Sequence, residues 1–180
     1  MDEKNVTKSC NPDNTELYFL FIFTWIVFPF YTNTILSFTL KNTAMKNQIQ
    51  YINPEGLFKS PAFSQVATTE GNGKTIYIGG QNAVNSKAEL IGKGDLSAQT
   101  EQVMKNIEIA LESAGATFSN LVKLNINLLQ GQDAMQGFAA AQKFLSKSPT
   151  PPVVTVLFVA ALGKPEYLLE IEAIAFVGTN

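Results

Sequence analysis

The stretch TPPVVTVLFVAALGKPEYLLEIEAIAF, residues 150–176, has the pattern of two apolar strands joined by a short turn. The second strand carries Glu170 and Glu172 inside an otherwise apolar run. Side chains alternate along a strand, so both carboxylates point to the same face. An ionised carboxylate is costly in apolar surroundings unless it is paired or hydrogen-bonded. The stretch therefore predicts a sheet strand with one specialised face.

Two interpretations of this acidic pair remain open from the residues alone. In the first, both acids face an interface, where they are solvated or paired with Lys123 or Lys164. In the second, one acid lies in a pocket and orients water or takes a proton.

Three further segments have the pattern of strands. SQVATT (64–69) and KTIYIGG (74–80) are joined by the turn EGNG at 70–73, which predicts a hairpin. LVKLNINLLQ (121–130) alternates between apolar and polar residues, so it predicts a strand with one buried face.

Two segments between these strands predict helices. The first helix is capped by Asp95 or Ser97 and runs to about Ala114, with one apolar stripe. The second covers about residues 132–147. Its expected buried residues are Phe138, Ala141 and Leu145.

The resulting order β-β-α-β-α-β-β predicts an α+β fold, with both helices on one face of a mixed sheet. The other face carries Lys123, Asn125 and Asn127, but Leu157 and Phe176 make it too apolar to remain in water. An exposed apolar face of this kind is typical of an interface. The domain is therefore expected to form oligomers.

The composition excludes several kinds of chemistry. All 13 basic residues are Lys, there is no His, and Cys10 is the single cysteine. The chain therefore lacks the usual general base near neutral pH, the usual metal ligand and the bidentate carboxylate clamp. Neither phosphate-binding glycine motif occurs, and a net charge of −2 gives no nucleic-acid footprint. We predict no metal, no cofactor and no nucleic-acid partner.

Residues 1–44 do not match the rest of the chain. The segment 17–40 is apolar and aromatic, but it contains Pro29 and several polar residues. It is compatible with an uncleaved membrane anchor, a secretory signal, or a non-native extension before a true start at Met45. The predicted domain is therefore 45–180, in the cytoplasm unless the extension is native.

Gly79 and Gly80 end a predicted strand. Glycine there serves either a tight backbone path or a site where a ligand approaches the backbone amides closely. The residues alone leave both roles open.

Several motifs, taken in order, resemble the RidA (YjgF) family, also called endoribonuclease L-PSP. They are IYIGGQ, LSAQTEQVMKNIEIALESAGATFSNLVKLNI and PPVVTV…LLEIEAIA, and the resemblance runs from about Met45 to Phe176. It implies a chorismate-mutase-like fold of six strands and two helices. It also implies a homotrimer with small-molecule sites in the clefts between subunits. The best-known members of the family hydrolyse reactive enamines or imines to a keto acid and ammonia without a cofactor, so the resemblance implies such an activity.

The resemblance also implies roles for particular residues. Glu170 matches the glutamate that positions water, and it is the expected catalytic residue. Gly80 and the backbone at Val156 match positions that line the substrate pocket.

Three positions depart from the family pattern. Val154 stands at the place assigned to the arginine that clamps a substrate carboxylate, Phe63 replaces a tyrosine, and Gly79 replaces a serine. We therefore expect a hydrolase for substrates without a carboxylate. The alternatives are a trimer that binds a metabolite without turnover, for example as a regulator, and a purely structural trimer.

Overall fold

The acidic strand lies inside the sheet. The computed structural model describes residues 48–179, which belong to one unit, Lys46–Asn180. In chain order the elements are β1 (Gln48–Ile52), β2 (Val66–Glu70), β3 (Gly73–Gln81), α1 (Leu96–Ser113), a short 3-10 helix (Phe118–Asn120), β4 (Leu121–Leu129), α2 (Ala134–Leu145), β5 (Val153–Val159) and β6 (Leu169–Gly178).

Four of these strands form a mixed sheet in the order β3-β6-β4-β5. Strand β6 is antiparallel to both of its neighbours, β3 and β4. Strands β4 and β5 are parallel, and α2 makes the crossover that a parallel pair requires. The α+β class, with two helices and a mixed sheet, is confirmed.

Both helices begin at the aspartates that the local sequence favours as caps. The side chain of Asp95 accepts a hydrogen bond from the Ala98 amide, and that of Asp133 accepts one from the Met135 amide. The first helix ends at Ser113, and Gly115 follows in the left-handed conformation, with φ of +73°. The predicted boundaries of α1 are therefore confirmed to within a residue or two.

The hydrophobic core lies between the helices and one face of the sheet. Helix α1 contributes Val103, Ile107 and Leu111, all without solvent exposure. The odd-numbered residues of β6 belong to the same core. They are Leu169, Ile171, Ala173 and Ala175, and all four are buried. The even-numbered residues of β6, including both acids, point to the opposite face, which neither helix covers. We call this the helix-free face.

The pairing of the strands differs from the expected hairpin. Although Gly71 has the turn conformation, with φ of +87°, β2 pairs with β1, and β3 pairs with β6. The six strands thus form a four-stranded sheet and a separate β1–β2 ribbon, rather than one continuous sheet. The Tyr51 hydroxyl of the ribbon donates to the Leu121 carbonyl, and burial raises the pKa of Tyr51. A turn signal is local, whereas the choice of partner is made by packing.

The buried stripe of α2 also differs from the expectation. Ala141 is buried as predicted, but the second buried residue is Phe144, which lies 6.0 Å from the ring of Phe118. Phe138 and Leu145 are only partly buried. The stripe is rotated because Phe144 packs on the 3-10 helix.

The interpretations of residues 1–44 fall outside the described residues. Within residues 48–179, neither helix is long and apolar enough to cross a bilayer.

Candidate functional site

A β-bulge at Gly79 and Gly80 shapes the centre of the candidate site. Ile78 of β3 pairs with Ala173, and Gln81 pairs with Ile171, so the two glycines lie opposite the single residue Glu172. An extra residue of this kind bends the strand and redirects the backbone. The bulge brings the backbone of β3 towards the acidic face of β6.

The side chain of Glu170 packs directly against Gly80. A Cβ atom at Gly80 would lie 2.5 Å from Oε1 of Glu170 and 2.6 Å from its carboxyl carbon. At Gly79, by contrast, a Cβ atom would have no neighbour within 4 Å. The second glycine is therefore the one that makes room for the carboxylate.

Asn82 holds the other oxygen of Glu170. Its Nδ2 lies 3.2 Å from Oε2 of Glu170 and 3.2 Å from the Leu169 carbonyl, so it donates to both. Glu170 is half-buried. The carboxylate is thus oriented by an uncharged amide and retains lone pairs that can accept hydrogen bonds from water.

Helix α1 fixes the segment that carries Asn82. Nδ2 of Asn106 donates to the carbonyls of Asn82, at 3.0 Å, and Val84, at 2.9 Å. Nε2 of Gln102 donates in turn to Oδ1 of Asn106, at 2.8 Å. A three-residue relay therefore connects the helix to Glu170.

Sequence reasoning missed this relay. Gln102 and Asn106 lie within the motif used to recognise the family, but they were assigned no role. Their spacing of four residues, which puts two amides on one helix face, was the available signal. Asn82 immediately follows the GGQ motif and carried no signal of its own.

Glu172 has a separate partner on the same face of the sheet. Nδ2 of Asn125 donates to its Oε2 at 3.2 Å. Each acid therefore has an amide partner instead of the lysine considered from the sequence. Among the described residues, one ion pair joins the two helices, where Lys143 lies beside Glu101 and lowers the pKa of that carboxyl, and a second joins Glu108 of α1 to Lys147, just beyond the end of α2.

Within one chain, the side chains of Phe63, Val154 and Val156 lie on the opposite side of the sheet from Glu170. Val154 pairs with Leu124 and Val156 with Ile126, and these side chains project to the helix side of the sheet. With Phe63 they line an apolar cavity of about 270 Å³ between α2 and the sheet. The expected residues thus form two groups, one on each side of the sheet.

Val153 is the residue of β5 that shares the face of Glu170. It pairs with Lys123 of β4, and neighbouring residues of a strand alternate between faces. Counting from Pro152 assigned the arginine position to Val154, whereas counting from Pro151 leads to Val153. The facing of β5 is a tertiary property that the local motif did not reveal.

The site can therefore supply an oriented carboxylate next to exposed backbone, a combination suited to accepting a proton from water.

Residues 57–177 match the sequence profile of a protein family described as Endoribonuclease L-PSP.

Named proteins are similar to the same region. A RutC family protein from Pyrococcus horikoshii is 35% identical over 105 residues, which cover 58% of this chain and 80% of that protein. A 2-iminobutanoate/2-iminopropanoate deaminase from Homo sapiens is 32% identical over 106 residues, which cover 58% of this chain and 74% of that protein. A crystal structure of the Rid family protein YyfB from Yersinia pestis matches with a TM-score of 0.65 and 35% identity, covering 72% of this chain and 98% of that one.

Proposed function

The chain belongs to the Endoribonuclease L-PSP family, the RidA (YjgF) family, and on that premise we propose that it hydrolyses small reactive enamines or imines. The proposal draws on relatives that are named as iminobutanoate and iminopropanoate deaminases. The proposed products are a carbonyl compound and ammonia.

The observation that carries the proposal is the position of Glu170. Its carboxylate lies against the Gly80 backbone and accepts a hydrogen bond from Asn82, an amide that cannot titrate. With no His in the chain, a carboxylate is a reasonable general base for water at this position.

The proposed reaction needs only water and Glu170. Glu170 takes a proton from water while the water oxygen bonds to the imine carbon, and the C=N electron pair moves to nitrogen. Glu170 then returns this proton to nitrogen, which gives a neutral carbinolamine. The C–N bond breaks as the carbonyl forms, and the hydroxyl proton leaves with the nitrogen as ammonia.

We further propose that the preferred substrates carry no carboxylate. The chain has no Arg, so no subunit of a homo-oligomer can supply a bidentate clamp. Charge-assisted hydrogen bonds contribute about 1.5–3 kcal/mol each. Without these hydrogen bonds, the binding of imines derived from amino acids should be weaker by about two to three orders of magnitude. Lys123, opposite Val153, could offer only a point charge.

The proposal includes a homotrimer with the reaction sites between its subunits. Its support is the helix-free face, on which Tyr77 is 78% exposed and Leu157 is 56% exposed. Large apolar side chains on one surface favour association.

The test is steady-state hydrolysis of neutral enamines and imines generated in the assay, with ammonia release as the readout. Glu170→Gln keeps the size of the side chain and its bond from Asn82 but removes the base. We expect turnover to fall by about 10²-fold or more. Glu172→Gln is the matched control on the same strand face, and it should retain most of the activity.

Equal turnover by wild type and Glu170→Gln would contradict the proposed role of Glu170. Saturable binding of the same compounds without turnover in the wild type would favour a metabolite-binding protein instead. Wild-type rates on amino-acid imines that match those of an Arg-containing relative would refute the substrate preference.

A further inference from the structure

The apolar cavity between α2 and the sheet is distinct from the Glu170 site. Its floor is formed by residues of β4, β5 and β6 that face the helices, including Ile126, Val156 and Ile171. Glu170 lies on the opposite face of β6, between two residues whose side chains line the cavity, Leu169 and Ile171. The sheet itself separates the two places.

Small residues on the inner face of α2 leave this space open. Ala134, Gly137 and Ala141 all line the cavity, at positions i, i+3 and i+7 of the helix. A Cβ atom at Gly137 would meet Thr100 Oγ1 at 3.6 Å and Leu96 Cδ2 at 3.7 Å, so an alanine would fit there without a clash. Close packing is the rule in protein interiors, and a gap of this size is therefore unusual.

The chemistry of the lining is uniform. The residues of the described part of the chain that line the cavity are all uncharged. The one hydroxyl among them, that of Thr100, already donates to the Leu96 carbonyl at 2.8 Å. A charged or strongly polar molecule would lose its hydration here without gaining partners. The cavity therefore selects neutral apolar compounds.

The volume sets the size of such a compound. An engineered apolar cavity of about 150 Å³ stays dry and binds benzene. The cavity here, at about 270 Å³, is larger and would hold roughly ten carbon atoms, as in two fused rings.

The cavity can also be reached from solvent. Met135 and Val156 are lining residues, and their side chains are 70% and 45% exposed, so they mark the opening. An apolar compound can therefore enter past the side of α2 without unfolding the domain.

We propose that this cavity is a second binding site, for a neutral apolar molecule of one or two rings, independent of hydrolysis at Glu170. The site takes one ligand per chain.

The test uses naphthalene as the probe and the full chain as it exists. Naphthalene should produce saturable shifts in the methyl NMR signals of the lining residues and raise the melting temperature. Naphthalene-1-sulfonate has the same rings with a charge, and it should leave those methyl signals unchanged. Binding of both compounds, or of neither, would overturn the proposal.

Three variants test whether naphthalene binds in this cavity. Ala141→Phe fills the cavity from the helix, and Val156→Phe narrows its opening at a position that is 45% exposed. Each should weaken naphthalene binding by at least about tenfold. Ala139→Phe puts the same ring on the exposed side of α2 and should bind naphthalene like the wild type. If Val156→Phe folds and binds as tightly as the wild type, the proposed site is wrong.

Discussion

At the scale of the residue, two adjacent glycines have different tasks. A Cβ atom at Gly80 would collide with Glu170, whereas one at Gly79 would project into open space. A sequence containing GGQ shows that the backbone is special here, but it does not show which glycine is indispensable. The space that the structure leaves for a Cβ atom at each position makes that distinction.

Gly80→Ala should displace the Glu170 carboxylate, because the new Cβ would lie 2.5 Å from Oε1. We expect turnover to fall by about tenfold or more, since catalytic groups tolerate little displacement. Ammonia release is the measurement, with circular dichroism to check folding. Gly79→Ala is the matched control and should remain within a few-fold of the wild type. Equal effects of the two variants would show that Gly80 does not shape the site.

Ala88 adopts a backbone conformation that is unfavourable for a residue with a side chain. It has φ of +62°, in the left-handed region that disfavours a Cβ atom. In the same loop, the Asn85 side chain accepts hydrogen bonds from the amides of Lys87 and Glu89. Ala88→Gly should therefore raise the free energy of unfolding by about 0.5–1 kcal/mol. Urea denaturation measures this value.

Ala139→Gly provides the opposite control. Ala139 is exposed on α2, where glycine costs about 1 kcal/mol relative to alanine. If both variants destabilise the protein equally, the strain at Ala88 is not present in solution.

At the scale of the element, α1 positions the site without contributing a catalytic group. Asn106 reaches from the helix to two carbonyls of the loop that follows β3. Gln99 lies two turns earlier on the same side of the helix, where it donates to the carbonyls of Gly92 and Glu166 and accepts a hydrogen bond from the amide of Leu168. The helix thus holds the connections that flank both β3 and β6.

Asn106→Asp should destabilise the protein by about 1–3 kcal/mol, because it removes two donors and leaves two carbonyls facing a carboxylate. The displaced Asn82 should also reduce turnover. Gln102→Glu adds the same charge one turn earlier, where the side chain meets only Asn106, and its effect should be smaller. Thermal unfolding and ammonia release compare the two variants. A larger effect from Gln102→Glu than from Asn106→Asp would show that the hydrogen bonds of Asn106 to the two carbonyls are not the main contact.

At the scale of the whole molecule, strand β5 at the edge of the sheet allows a test of which face of the sheet lies in a subunit interface. Leu157 and Phe158 are 56% and 57% exposed, so exposure does not distinguish them. Leu157 pairs with Asn127 and belongs to the helix-free face, whereas Phe158 pairs with the buried Leu128 and belongs to the helix side. Only the first should lie in a subunit interface.

Leu157→Glu should therefore dissociate the proposed trimer, because it introduces a charge into an apolar contact. Light scattering should show a fall in mass at micromolar concentration. Phe158→Glu carries the same charge at nearly the same exposure and should keep the wild-type mass. A wild-type chain that is monomeric at this concentration would contradict the proposed assembly.

Local pattern was enough to predict much of the fold. Period-two alternation separated the acids of β6 from its buried residues, and the aspartate and glycine signals located both ends of α1. The motif order also identified the family. These features depend on neighbours in the chain, and for that reason a single sequence displays them.

Other features arose only in the tertiary structure. The pairing of β2 with β1, the facing of Val154 away from Glu170, and the bond from Asn106 to the loop that follows β3 all join distant segments. Alternation shows that adjacent residues of a strand face opposite ways, but not which face meets the helices. The register with the neighbouring strand decides that, and burial of the common core selects the register. The sequence thus determined which residues share a face, and only packing determined what each face meets.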